Sequence, residues 1–161
     1  MTRVIVELAR VEGAHLAGLV GQFADVLDAS DERSNADPAV MRLVPDAYAD
    51  RDAAEEFRRL TESDLLGRRR SDAAVVLESL GSVGELPDDP GDPALVEMIR
   101  VRLDEEQAQA WLRTLAAIRL VLATRLGIDK DDDHDDGDPR FGIYDWLGYR
   151  LDGLVQALDG A

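Results

Sequence analysis

Cysteine is absent from the 161-residue chain, and that absence removes whole classes of chemistry. There is no disulfide, no thiolate nucleophile, no cysteine-built zinc site and no thiol redox switch. Lysine is nearly absent as well. Lys130 is the only one, so arginine supplies almost all of the positive charge. Eighteen basic residues against 34 acidic ones leave a formal net charge of -16. Such a field repels a polyphosphate and disfavours general DNA binding, unless one face segregates its arginines or a partner brings the DNA. No apolar run approaches the roughly 18 residues that a membrane span requires. The N-terminus has neither the basic start nor the apolar middle of a signal peptide. The expectation is a cytoplasmic protein with no membrane partner.

Catalytic motifs are missing too. The chain has no GxxxxGK[ST] loop, no GxGxxG after a strand, no HExxH and no Ser-His-Asp pattern. Its two histidines, His15 and His134, lack motif partners. The run DKDDDHDDGD over 129–138 invites comparison with a calcium loop, but the comparison fails. With Gly137 at position six, Asp132 falls at one, His134 at three and Ile143 at twelve, where a bidentate glutamate is required. A solvated acidic loop is the expectation. No enzyme, cofactor or metal site is predicted.

What is present is a composition of 45% hydrophobic and 32% charged residues, that of a single globular domain over 1–161. Val4 to Leu8 is β-branched and apolar, a short strand. From about Val11 the period becomes helical, with Leu16, Leu19, Val20, Phe23, Val26 and Leu27 on one stripe. A single turn is expected over 38–43, stopped by Pro45. Asp52 caps a helix over 53–60, and Thr61 with Asp64 signals a fresh start for a helix from Glu62 to Leu80. Three prolines and three glycines over 81–93 make a flexible loop, as does the acidic stretch 129–139. Residues 98–103 read as a strand, Asp104 to Leu126 as a capped helix, and 141–158 as a final helix. The predicted fold is mainly α, with five to six helices and a small two-stranded sheet formed by two strand–helix units.

The two units superimpose as a faint repeat. Leu8 falls on Leu103, Leu16 on Trp111, Val20 on Leu115, and Phe23 on Ile118. Paired strands about a pseudo-two-fold axis are one explanation, and chance similarity between amphipathic helices is the other.

Three groups of residues stand out as candidate sites. Arg58, Arg59, Arg68, Arg69 and Arg70 hold the densest positive charge in an acidic chain. They are either a solvated helix surface or a docking face for an acidic partner or nucleic acid. Arg119 falls inside an apolar stripe with Leu112, Leu115, Leu122 and Leu126. A charge there needs a carboxylate or carbonyls, and is either a structural buried charge or the anchor of a small-molecule pocket. Trp146 and Tyr149 lie off the apolar face of the last helix. They either pack on a neighbouring helix or form a contact in a homodimer or with another protein.

Four stretches carry a resemblance: Pro45-Asp46-Ala47-Tyr48, EFRRLTESDL (56–65), WLRTLAAIRLVLATRLGI (111–128) and YDWLGYRLDGLVQAL (144–158). They resemble an actinobacterial family of unknown function whose genes neighbour that of the Clp protease adaptor, and which includes the actinomycete oxidative-stress-responsive regulator. The resemblance implies a non-enzymatic regulator of stress-response transcription, acting through protein contacts with a sigma factor or RNA polymerase. In that regulator, sensing resembles a cysteine-pair switch. A chain without cysteine cannot inherit it, and the resemblance brings no catalytic or ligand-binding residue with it.

Overall fold

The computed structural model describes residues 3–31, 39, 51–81, 86–127 and 141–160, with side chains over 29–31 and 51–64 left aside. Strand β1 (Arg3–Ala9) runs directly into helix α1 (Arg10–Asp31). Helix α2 (Arg51–Leu80) follows, then β2 (Met98–Asp104), α3 (Glu105–Leu126) and α4 (Gly142–Asp159). The described residues hold four α-helices, not five to six. The reason is α2, which runs unbroken through Thr61. A capping pattern stops no helix by itself, and nothing between Arg51 and Leu80 forbids helical backbone as a proline would. The turn expected over 38–43 lies outside the described residues apart from Ala39, as does the acidic loop over 129–139. Part of the loop 81–93 carries its own hydrogen bonds. The Gly91 amide donates to Asp89 at 3.0 Å, and Asp92 caps a 3-10 turn over Pro93–Val96 by accepting from the Ala94 amide at 2.9 Å. No helix among the described residues is long and apolar enough to cross a membrane.

The strands pair antiparallel, and the register explains their sequences. Val4 lies opposite Leu103, Val6 opposite Val101 and Leu8 opposite Ile99, an apolar face laid on the helices. The other face pairs Arg3 with Asp104, Ile5 with Arg102 and Glu7 with Arg100. The Arg100 guanidinium meets Glu7 at 3.1 Å there. This is the period-two alternation of a half-buried sheet.

The repeat is real in the fold. Adding 95 to each number turns Arg3–Ala9 into Met98–Asp104, and Arg10–Asp31 into Glu105–Leu126. The register agrees. Val6 pairs with Val101, its own counterpart, so a pseudo-two-fold axis passes between them. Leu8, Leu16, Val20 and Phe23 are buried, and so are Leu103, Trp111, Leu115 and Ile118. Even the helix starts correspond. Asp104 and Gln107 form a reciprocal capping box on α3. At the equivalent place on α1, the Ala9 amide donates to Glu12 Oε1 at 3.1 Å, the half of the box that survives without a side-chain acceptor at the cap.

Within this core, Thr114 is fully buried and its hydroxyl has no hydrogen-bond partner among the described residues. A buried unpaired hydroxyl carries its desolvation cost without return. Thr114→Val is therefore expected to stabilise the fold by about 1 kcal/mol, read as a melting temperature raised by roughly 2–4 °C in calorimetry. A lowered midpoint would show that the hydroxyl is satisfied in solution.

Candidate functional site

The last helix is fastened to the first unit by one carboxylate. Glu12 Oε2 accepts from the Trp146 indole Nε1 at 2.8 Å and from Arg150 Nη2 at 2.7 Å, while Oε1 takes the Ala9 amide. Arg150 Nη1 also donates to the Glu7 carbonyl at 3.0 Å, so the same guanidinium satisfies an acceptor on β1. Its plane lies near both the Trp146 and Tyr149 rings, 5.8 and 5.5 Å from their centroids. Burial pushes the Glu12 carboxyl up. The hydrogen bonds from Arg150, Ala9 and Trp146 together outweigh it, and hold the group below the ordinary glutamate value.

Beside this node, an apolar groove of about 590 Å³ opens between α1 and α4. Leu19, Ile143 and Trp146 form its walls, with Ala14 and Gly18 on the α1 side and His15 at its edge. Ile143 is half exposed. A Cβ placed on Gly18 meets nothing within 4 Å. The groove has the size and apolarity of a binding site. Among the described residues no group of three or more acidic or histidine side chains is arranged to hold a metal ion.

The residues singled out in the sequence are dispersed. Arg58 and Arg59 lie on α2, where side chains are not described. Arg68 is exposed, Arg69 approaches Asp72 at 3.7 Å, and Arg70 pairs with Asp28 of α1 at 3.0 Å. Arg68 and Arg69 border a polar hollow with Asp72 and Arg113. There Arg113 grips Asp72 through two parallel bonds of 2.9 and 3.0 Å, which raise the guanidinium's pKa and clasp α2 to α3.

Trp146 is half-buried. It is part of the packing against a neighbouring helix, with its indole bonded to Glu12. Tyr149 remains 70% exposed. The sequence did not single out Glu12, Arg113 or Arg150. Their partners lie 41 to 138 residues away, and only Glu12 offered a local signal, as an acidic residue three positions beyond a helix start.

Arg119 is held within the fold. Its Nε donates to the Tyr144 carbonyl at 3.3 Å, and its guanidinium lies 3.9 Å from the centre of the Tyr144 ring. Arg119 is half-buried, not the buried charge expected from its apolar stripe; the anticipated carbonyl is present, and the groove between α1 and α4 is not lined by Arg119. Gly148 makes room for it, because a Cβ there would stand 3.1 Å from the guanidinium. Gly153, one and a half turns on, faces open space. Gly153→Ala is expected to stabilise α4 by about 0.5–1 kcal/mol. Gly148→Ala is expected to gain nothing or lose stability, as Arg119 is displaced. Chemical denaturation of the two variants checks the contrast, and equal gains would contradict the Arg119 packing.

Comparison with known proteins places this chain. A family model described as a domain of unknown function, DUF2017, matches residues 2–158. The chain is also 29% identical over 141 residues to a Mycobacterium leprae (strain TN) protein named "Putative oxidative stress regulator AosR". That alignment covers 76% of this chain and 58% of the relative, so the chain spans little more than half of the relative's length. No solved structure matches it.

Proposed function

The chain belongs to the DUF2017 family, a domain of unknown function, and we propose that it is a cytoplasmic, non-enzymatic regulator of stress-response transcription. It works through protein contacts, with a sigma factor or RNA polymerase as the partner. The observation that carries this reading is the similarity to the relative named as an oxidative stress regulator. The composition adds two constraints. Without cysteine the regulator does not sense through thiols. With a net charge of -16 it reaches DNA only locally or through its partner.

Copurification from the native cell followed by mass spectrometry tests the proposal. Transcription proteins should be enriched over an unrelated acidic control. A thermal-shift screen against metabolites and metals supplies the opposing arm, because a ligand bound to the native state raises the midpoint. Strong stabilisation by a metabolite, with no transcription protein retained, would replace the regulator with a small-molecule binder.

A further inference from the structure

Strand β1 has one edge paired with β2 and one edge bare. The Arg10 amide donates to the Glu97 carbonyl at 2.9 Å, in register with the ladder. An antiparallel ladder alternates, so Leu8, Val6 and Val4 turn their backbone groups toward β2, and Glu7, Ile5 and Arg3 turn theirs away. The Glu7 carbonyl fits that assignment, because it is free to accept from Arg150. The Ile5 amide and carbonyl and the Glu7 amide have no hydrogen-bond partner among the described residues. Beside them a hollow of about 370 Å³ separates β1 from α4, with Tyr149 on its helix side. The Ile5 side chain is half exposed.

A bare edge is a template for another strand, and the residues of β1 select that strand. Laid antiparallel on a second copy of itself with Ile5 opposite Ile5, β1 sets Arg3 opposite Glu7 and Glu7 opposite Arg3. The register of β1 with β2 extends the match across four strands. One outer row runs Arg100, Glu7, then Arg3 and Asp104 of the second copy, so the charges alternate in sign. Glu7, already at 3.1 Å from Arg100, would lie between two arginines. The inner row beside it runs Leu103, Val4, then Val6 and Val101 of the second copy, apolar throughout. Other pairings lack this match. Centring β1 on Glu7 sets glutamate against glutamate. On the free edge of β2, centring on Arg100, Val101 or Arg102 sets arginine against arginine.

We infer that the β1 edge pairs antiparallel with β1 of a second copy of this chain, about a two-fold axis at Ile5, to give a four-stranded sheet in the order β2-β1-β1-β2. The Ile5 backbone groups bond to each other, and each Glu7 amide donates to an Arg3 carbonyl, while the Glu7 carbonyls stay with Arg150. The two Ile5 side chains cover one another at the centre of the outer face. This inference does not depend on any partner in transcription.

Sedimentation velocity of the full chain tests it. The net charge of -16 on each copy opposes approach, so the measurement belongs in about 0.3 M salt, where a screening length of roughly 6 Å mutes long-range repulsion. The wild type should sediment as a concentration-dependent dimer. Ile5→Lys sets like charges at the axis on an exposed face, so it should weaken the dimer at least tenfold and leave the far-UV spectrum unchanged. Arg3→Glu alone and Glu7→Arg alone should each weaken it as well. Mixed in equal amounts, those two variants should associate again, because every glutamate then faces an arginine across the axis. A wild type that stays monomeric up to about 1 mM would overturn the inference, since that leaves no affinity worth the name. So would a dimer indifferent to Ile5→Lys, which places the contact elsewhere, or a mixture of the charge variants that associates no better than either alone.

Discussion

Trp111→Ala is expected to cost about 3–5 kcal/mol, a third or more of the total stability of a domain of this kind. The side chain is 1% exposed and belongs to the main core, at the position where the first unit carries Leu16. Removing it leaves a cavity in the main core that close-packed neighbours refill only in part. Its indole nitrogen, although buried, has no hydrogen-bond partner among the described residues. Trp111→Phe forfeits no such bond and removes an unsatisfied donor, so its cost should stay near 1–2 kcal/mol. Urea unfolding checks both. The midpoint should fall steeply for alanine and mildly for phenylalanine, with the slope unchanged. Similar losses for the two variants would mean that the indole N–H is bonded after all.

The second large effect belongs to Glu12. Glu12→Ala removes the acceptor of three donors and leaves the Arg150 guanidinium, only 22% exposed, without its carboxylate. Hydrogen bonds to a charged acceptor are the stronger kind, and the loss should be about 2–3 kcal/mol. The effect has a pH signature. The folded carboxyl titrates below its ordinary value of 4.5, so its contribution is full above that value. It is lost as the pH falls through the lowered folded value. Glu12→Gln should therefore trail the wild type at neutral pH and converge on it in acid. Because Glu12 and Arg150 share one interaction, Glu12→Ala with Arg150→Ala should cost less than the sum of the single changes. Full additivity would show that the node contributes nothing as a unit.

These residues also mark what the sequence could and could not reveal. The first strand was legible from its β-branched apolar run and the second from alternation, and the shift of 95 was visible because equivalent positions in the two units are apolar. The stretch around Thr61 misled, since a local capping signal has no force against a helix that continues on both sides. Arg119 could be recognised as a charge requiring a carboxylate or carbonyls because it shares an apolar stripe with Leu112, Leu115, Leu122 and Leu126. Trp146 was recognisable only as being off the main stripe. Its partner Glu12 lies 134 residues away, and nothing local to either residue specifies the other. The groove was invisible for the same reason. Its walls are α1 and α4, which stand at opposite ends of the chain.

As proposed, this chain regulates transcription through direct protein contact and without thiol chemistry. Size-exclusion chromatography of the purified chain, mixed in turn with purified RNA polymerase and with each sigma factor of the same cell, tests it most directly. The account predicts co-elution with at least one of them, to the same extent in reductant and in peroxide. Elution of the chain alone from every mixture would contradict it.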